Sequence, residues 1–286
     1  MKANTVAAPA ANRTYKARIF EMVFRERKNL LSLYNAVNET RYENPEELEI
    51  NTLENAVYMS MHNDLSFVID MRLSLYEHQS TRNPNLPLRF LFYLARLYSN
   101  MVRDENLYGQ RLIPLPMPHF VVFYNGEEEC PEREILRLSD AYQIKEEEPR
   151  LDLEVTVLNI NPGKNKGLLD ACRTLADYAE YSDRVRTYAK EMELRDAVER
   201  AVRECIAEGI LKDFLMKNRA EAIEMSIFEY DEEKHMRQVR EEGEQMAEER
   251  MSRLIEKLLK EGRSEDLERA AKDAPYRRKL LEELGD

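Results

Sequence analysis

The chain has 286 residues and a formal net charge of −12, with 43% hydrophobic and 34% charged residues. That length allows one large domain or two smaller ones, with enough apolar residues for a core. No apolar run approaches the roughly 18 residues of a membrane span, and residues 1–12 lack the basic and apolar regions of a signal peptide.

The charge is unevenly divided along the chain. Residues 1–126 hold 14 Lys and Arg against 13 Asp and Glu, a net +1, which leaves −13 for residues 127–286. Acidity disfavours binding to nucleic acid phosphates, but this objection applies mainly to the later part. The cysteines are odd in number and lack metal-ligand spacing: Cys130, Cys172 and Cys205. We expect a cytoplasmic protein with reduced thiols and no membrane partner.

The first elements predict a helix and then a break. Apolar residues recur at helical spacing over residues 15–37, which indicates an amphipathic helix packed on a sheet. Asn44-Pro45 interrupts that pattern, so residues 45–51 are expected to form a loop with a short turn. Residues 55–61 are a further strand candidate.

Two short runs of apolar, β-branched and aromatic residues follow, at 65–69 and 73–76, and they predict a β-hairpin. If the turn centres on Asp70 and Met71, Asp64 lies opposite Glu77; if it centres on Met71 and Arg72, Asp64 lies opposite Gln79. Side chains alternate between faces, so Glu77 and Gln79 share one face, and both registers bring Asp64 onto it.

Two carboxylates in such a pair repel each other unless a cation lies between them. Mg²⁺ prefers oxygen ligands and is often held by one or two carboxylates together with waters. The sequence therefore predicts Mg²⁺, or Mn²⁺ in its place, bound by Asp64 and Glu77, while Gln79 holds a water or a phosphate oxygen. Asp70 is the substitute ligand if Asp64 is not one, although it falls in the turn at the far end of the hairpin.

The residues after the hairpin predict a loop and then a helix over residues 88–102. Three polar residues lie at the mouth of the site, where they either bind phosphate oxygens or only form the turn: Ser80, Thr81 and Asn83. Four arginines recur every seven residues, as a phosphate-binding stripe or as a solvated face: Arg82, Arg89, Arg96 and Arg103.

The remaining elements predict an α/β fold. Residues 112–118 contain several prolines and favour an edge position, residues 119–124 favour a central strand, and residues 151–160 another strand. From residue 168 onward the pattern is helical; one helix closes at Gly209, and a terminal helical pair spans residues 262–281. We predict three parts: residues 13–165 as the core, 166–220 as a helical extension packed on it, and 221–286 as a charged helical tail.

An Asp followed roughly 10 to 20 residues later by Glu-x-Lys or Glu-x-Gln at the end of the next strand resembles the PD-(D/E)XK nuclease superfamily. A longer set of residues resembles the recombination-promoting nuclease family of bacteria, often labelled putative transposases. These residues are Tyr76-Glu77-His78-Gln79-Ser80-Thr81, Asn83-Pro84-Asn85-Leu86-Pro87-Leu88-Arg89, Tyr108-Gly109, the run from Pro118 to Gly126, Leu136-Arg137-Leu138-Ser139-Asp140, and Glu229-Tyr230-Asp231-Glu232-Glu233.

The resemblance implies a restriction-endonuclease-like core, in which helices flank a mixed sheet, and a metal-dependent DNA endonuclease linked to recombination, mobile elements or defence. It also implies the catalytic set Asp64, Glu77 and Gln79. Glu21 on the first helix is then either an extra metal ligand or an exposed charge. Gln79 stands where much of the superfamily has Lys, and an amide neither acts as a base nor carries a charge. A second metal or solvent would have to activate the water.

Two alternatives stay open. One is a non-catalytic interaction or regulatory protein on a degenerate nuclease fold, in which the acidic helical tail binds a partner or a second copy of the chain. The other is an active nuclease whose tail inhibits it by imitating the charge of DNA. The histidines add little: His78 is expected on the face opposite the site as a packing residue or a donor behind it, and His62 is a candidate general acid near the mouth.

Overall fold

The computed structural model describes the backbone of residues 18–50 and 65–283. The strands are β1 (Glu49–Ile50), β2 (Leu65–Ile69), β3 (Arg72–Gln79), β4 (Met117–Tyr124), β5 (Arg133–Arg137) and β6 (Glu154–Asn159). The helices are α1 (Arg18–Phe24), α2 (Arg27–Asn38), α3 (Leu86–Met101), α4 (Lys166–Ala171), α5 (Arg173–Ala189), α6 (Leu194–Glu208), α7 (Lys212–Lys217), α8 (Arg219–Lys260), α9 (Ser264–Lys272) and α10 (Ala274–Glu283).

The described strands form one open mixed sheet in the order β1-β2-β3-β4-β6-β5. Strands β3, β4 and β6 run parallel to one another, while β1, β2 and β3 pair antiparallel, as do β5 and β6. The long crossover between β3 and β4 contains α3, as a parallel connection requires. The predicted α/β class and the helical C-terminal region are confirmed.

The two faces of the sheet carry separate apolar cores, because side chains alternate along each strand. One core joins α1, α2 and α5 to the face that bears Tyr76 and Phe123. The other joins α3 to the face that bears Leu75 and Val122. Residues 76 and 75 are neighbours in β3, so this interior strand contributes to both cores. The face on which a β3 side chain lies therefore decides its environment.

The hairpin has the first of the two expected registers. Ile69 pairs with Arg72, and the turn residues Asp70 and Met71 have φ values of 47° and 57°. A two-residue turn with positive φ at both central residues has a twist that matches the twist of the flanking strands. The register continues to Leu65↔Tyr76. Asp64, His62 and the strand candidate at residues 55–61 lie outside the described residues.

Two expectations about elements are wrong, and one strand was not expected. The predicted helix over residues 15–37 is two helices, because the backbone is extended at Glu26, and Asn29 Nδ2 donates to the Val23 carbonyl at the end of α1. Pro118 does not lie at an edge: it is the second residue of β4, an interior strand, and pairs with Leu73. Strand β5 was not expected; it is an edge strand with charged residues at three of its five positions, so it shows no apolar alternation.

The chain divides into two compact units, one up to Tyr230 and one from Asp231 onward. The second unit has a small core of its own, to which α8, α9 and α10 contribute: Leu254, Leu258, Ala270 and Leu280. The expected terminal helical pair is confirmed as α9 and α10. Within residues 18–50 and 65–283, no helix has the length and apolar character that crossing a membrane needs.

Candidate active site at the carboxyl end of strand β3

Glu77 is a buried carboxylate near the carboxyl end of β3. Its side chain is 2% exposed, and it pairs in register with Val122 of the neighbouring parallel strand. Alternation places it on the face that carries Leu75 and α3. A carboxylate at such depth is costly unless a cation or hydrogen-bond donors neutralise it. The partners of Glu77 therefore define what this site can do.

The cation beside Glu77 is Arg89, from the first turn of α3. Its Nη2 lies 3.1 Å from Glu77 Oε2. The same guanidinium donates from Nε and Nη2 to the Tyr93 hydroxyl, at 3.3 and 3.0 Å. Arg89 is 36% exposed, so its position extends from the buried carboxylate toward the surface. The site thus combines a buried negative group with a partly exposed positive one.

Gln79 completes this cluster. Its Nε2 donates to Glu77 Oε2 at 3.4 Å, which confirms that residues 77 and 79 share a face. The next strand holds it in place, because the Asn125 backbone N–H donates to the Gln79 carbonyl at 3.1 Å. The cluster lies at the carboxyl ends of parallel strands, which is where α/β sheets commonly bind ligands.

The first turn of α3 reaches Glu77 because of the short loop that follows β3. Asn83 Oδ1 accepts a hydrogen bond from the Asn85 backbone N–H at 2.9 Å, and Pro87 lies in the first turn of the helix. Both features are typical of a helix start. Asn83 therefore forms the turn, one of the two roles considered for it.

Gly126 allows a close approach between the ends of β3 and β4. A Cβ at this position would lie 1.9 Å from the Ser80 carbonyl oxygen and 2.5 Å from the Tyr124 hydroxyl. Only a residue without a side chain fits there. The Asn161 side-chain amide adds a further link by donating to the Gly126 carbonyl at 2.9 Å. The ends of the parallel strands are thus joined tightly behind the site.

Two predicted site residues lie elsewhere. Glu21 is on α1, which packs on the opposite face of the sheet from Glu77, and it forms an ion pair with Arg25 at 2.6 Å. Asp70 lies in the hairpin turn at the far end of β3, where it accepts a hydrogen bond from the Tyr42 hydroxyl at 3.1 Å. The structure brings Glu77, Gln79 and Arg89 together and does not bring Glu21 or Asp70 to them.

The remaining phosphate-binding candidates have different surroundings. Arg82 Nη2 lies 2.7 Å from both carboxylate oxygens of Glu134. Arg103 donates to the Asn100 side chain at 3.2 Å. Arg96 is exposed on α3, and Ser80 and Thr81 are half-buried at the mouth. The arginines thus do not form one uniform stripe.

His78 points to the other face, as expected. Its Nε2 lies 2.7 Å from Asn125 Oδ1 and 3.1 Å from the Tyr178 hydroxyl, and its ring stacks on Phe20 with centroids 5.7 Å apart. Burial, with a smaller contribution from the nearby charge of Arg186, lowers the pKa of His78 to about 3. A neutral, enclosed imidazole is a packing residue rather than a proton carrier.

The donor atoms near Glu77 determine which metal ion this site could hold. Within the part of the chain that the structure describes, no three His, Cys, Asp or Glu residues gather around one point. Glu77 and Gln79 supply one carboxylate and one amide, which suits a hard cation that keeps most of its waters. The Arg89 guanidinium occupies a cation position on Glu77. The described residues thus fit one side of such a site, and Asp64, the second predicted ligand, lies outside them.

Comparison of the chain with protein-family models, curated proteins and solved structures gave no match. The ion pair between Glu77 and Arg89 was not foreseen. Its signal was available, because a short loop after a strand places the first turn of the next helix above that strand's end.

Proposed function

We propose that the chain is a divalent-cation-dependent DNA endonuclease with a PD-(D/E)XK-like core. The observation that carries this proposal is the buried Glu77 carboxylate near the carboxyl end of an interior strand, in contact with Gln79 and Arg89. Its depth is costly for a purely structural carboxylate and suits a ligand for Mg²⁺ or Mn²⁺.

In this proposal Glu77 and Asp64 hold the cation, and the amide of Gln79 orients a water or a phosphate oxygen. A divalent cation held by these residues would lower the pKa of a coordinated water and stabilise the charge that develops on the phosphate. Ser80 and Thr81 lie at the half-buried mouth, where their hydroxyls and backbone N–H groups reach phosphate oxygens. The site carries out hydrolysis of a phosphodiester bond.

DNA approaches along α3 in this proposal. Arg96 is exposed on that helix, and residues 1–126 carry a net charge of +1 although the whole chain carries −12. Phosphate binding by arginine is electrostatic and weakens as salt rises. We place the activity in the cytoplasm, where DNA recombination or defence against foreign DNA would use it.

The test is cleavage of supercoiled plasmid by the full chain with Mg²⁺, with Mn²⁺ and with a chelator. The variants are Glu77→Ala and a matched control, Glu154→Ala, which removes an exposed carboxylate paired with Arg137 on the edge side of the sheet. We expect cleavage by the wild type and the control in either metal. We expect none by Glu77→Ala and none in the chelator.

Cleavage by Glu77→Ala at the wild-type rate would overturn the proposed site. The absence of cleavage by folded wild type under all metal conditions would overturn the proposed activity. Circular dichroism of each variant separates loss of chemistry from loss of fold. Asp64→Ala then tests the ligand that lies outside the described residues, and it should be as inactive as Glu77→Ala.

A second candidate is an interaction or regulatory protein, and one observation favours it. The unit from Asp231 onward is compact and has its own core around Leu254 and Leu258. A separate charged helical unit of this kind is typical of a segment that pairs with a partner helix or a second copy. This candidate predicts no metal-dependent cleavage by the folded full chain, and a loss of association, measured by light scattering, when residues 231–286 are deleted. An active nuclease with an inhibitory tail would instead cleave faster after the same deletion.

A further inference from the structure

The Arg89 guanidinium stands where a bound cation would neutralise Glu77. Its Nη2 lies 3.1 Å from Glu77 Oε2, and the carboxylate side chain is 2% exposed. Removal of one partner from a buried ion pair leaves an uncompensated charge, which is strongly unfavourable. Arg89 therefore leaves Glu77 only when another positive group replaces it.

Arg89 has a second attachment that does not depend on Glu77. Two of its nitrogens, Nε and Nη2, donate to the Tyr93 hydroxyl, one helical turn further along α3. Arg89 is also 36% exposed. A guanidinium that loses its carboxylate would thus remain at the mouth of the site, facing the solvent from which a phosphate arrives.

The next residue on the same face of β3 cannot supply a positive charge to the phosphate. Gln79 carries a neutral amide and is already a donor to Glu77 at 3.4 Å. A planar guanidinium, in contrast, binds two phosphate oxygens at once and always carries its charge. The chemistry that a hydrolytic site needs from a cationic side chain is therefore available from the helix rather than from the strand.

We infer that Arg89 is an exchangeable partner of Glu77: it neutralises the carboxylate when no metal is bound, and it turns to the scissile phosphate of DNA when a divalent cation takes its place. The exchange at Glu77 requires only metal binding, while the role toward phosphate rests on the proposed function. The alternative is a permanent ion pair that only holds α3 to the sheet.

The first arm of the test measures Mn²⁺ affinity without DNA, by electron paramagnetic resonance of the free ion. Arg89→Gln should bind Mn²⁺ about fivefold to tenfold more tightly than wild type, because it removes a competing positive charge from the ligand. Glu77→Gln should lose this site. The control Arg137→Gln removes an arginine that also pairs with carboxylates, Asp152 and Glu154, and should match wild type.

The second arm measures the affinity for a short DNA duplex, with Ca²⁺ as a non-catalytic cation or with a chelator. Arg89→Gln should bind about tenfold more weakly than wild type with Ca²⁺, because it lacks a bidentate phosphate contact. It should equal wild type in the chelator, where Arg89 is on Glu77. Arg89→Lys keeps the positive charge but lacks the bidentate guanidinium, and it replaces Arg89→Gln in the test if that variant does not fold. Its DNA affinity should also fall with Ca²⁺ and not in the chelator, by a smaller factor.

The inference is overturned if folded Arg89→Gln binds Mn²⁺ no more tightly than wild type, or if its loss of DNA affinity is equal with Ca²⁺ and with chelator. Neither arm needs cleavage. If wild type does not cleave DNA but Arg89→Gln gains Mn²⁺ affinity, the endonuclease proposal fails and the exchange stands. If wild type cleaves DNA and Arg89→Gln has the Mn²⁺ affinity of wild type, the endonuclease proposal stands and the exchange fails.

Discussion

Glu77 and His78 are neighbours in one strand, and both are almost fully buried, at 1% and 5% exposure. They point to opposite faces of the sheet and resolve the cost of burial in opposite ways. His78 gives up its charge, because burial lowers its pKa to about 3. Glu77 is instead paired with Arg89, which is partly exposed.

This difference separates a structural polar group from a candidate functional one. The His78 side is enclosed by Phe20 and Tyr178, and its hydrogen bonds to Asn125 and Tyr178 lie inside the core. The Glu77 side reaches solvent through the partly exposed guanidinium of Arg89. Burial alone does not distinguish them; the access of each partner to solvent does.

The largest expected effect is on the cleavage rate, and it should differ between substitutions on the two faces of the sheet. Glu77→Gln should lower the plasmid cleavage rate at least roughly 100-fold, because the cation loses a ligand that stabilises the transition state. Its free energy of unfolding should hardly fall, because the substitution removes the buried charge, and the Arg89 that remains is 36% exposed and still donates to the Tyr93 hydroxyl. Plasmid cleavage and urea unfolding of the same preparation measure both quantities.

His78→Ala should show the opposite pattern. We expect it to lower the free energy of unfolding by about 2–4 kcal/mol, because it leaves a cavity beside Phe20 and Tyr178. The cleavage rate per folded molecule should stay within about twofold of wild type. Should His78→Ala lose cleavage while remaining folded, the division between the two faces would be wrong.

The second effect concerns the packing that joins β3 and β4 behind the site. Gly126→Ala should lower the free energy of unfolding by roughly 2–3 kcal/mol, because a Cβ there would overlap the Ser80 carbonyl oxygen. The matched control is Gly167→Ala in α4, where a Cβ meets nothing within 4 Å. It should stabilise the protein slightly, since Ala is the better helix former. Equal urea midpoints for the two variants would contradict the close approach.

The sequence predicted the elements whose pattern is strong. The hairpin over β2 and β3, the central strand β4 and the helix after Pro84 were all expected, because apolar periodicity and turn residues agree there. It also placed Glu77 and Gln79 on one face and His78 on the other, since alternation is a property of any strand. Strand β5 was missed because its charged residues show no apolar alternation. Its pairing with β6, which the sequence pattern does not reveal, makes it a strand.

The candidate site was only partly predictable, for a different physical reason. The contacts of Glu77 with Arg89 and of Arg82 with Glu134 join residues that are 12 and 52 positions apart in the chain. No periodicity within one element encodes them, because they depend on where the fold places α3 and β5 relative to the end of β3 and the loop that follows it. A stripe of arginines at seven-residue spacing suggested phosphate binding, while the fold gives Arg82, Arg89 and Arg103 different partners and leaves Arg96 exposed.

The third effect is the pH dependence of stability. His78 has an ordinary pKa near 6.5 when unfolded and one of about 3 when folded. Between these values the unfolded chain binds one more proton, so stability falls as pH drops, by at most about 1.4 kcal/mol per pH unit. Urea unfolding at pH 7, 6 and 5 should show a shallower acid loss for His78→Gln than for wild type. His119→Gln should change the slope less, because His119 is only partly buried.

The smallest effect is expected at the ion pair between Arg82 and Glu134. Both side chains are substantially exposed, at 41% and 27%, so Glu134→Gln should change the free energy of unfolding by less than about 1 kcal/mol. The same substitution releases Arg82 from its carboxylate. If Arg82 contacts DNA as the sequence predicts, the variant should bind a short duplex about twofold to threefold more tightly at low salt, with the gain vanishing as salt rises.

The double variant Arg82→Gln with Glu134→Gln is the control for that gain. Like the single variant it lacks the Glu134 carboxylate, but it also lacks the Arg82 guanidinium. Its duplex affinity should therefore return to the wild-type value or below. If the double variant keeps the whole gain, the effect belongs to the removal of a negative charge near the mouth and not to Arg82. Fluorescence anisotropy at two salt concentrations decides between them, because a contact made by one more arginine steepens the salt dependence by about one charge.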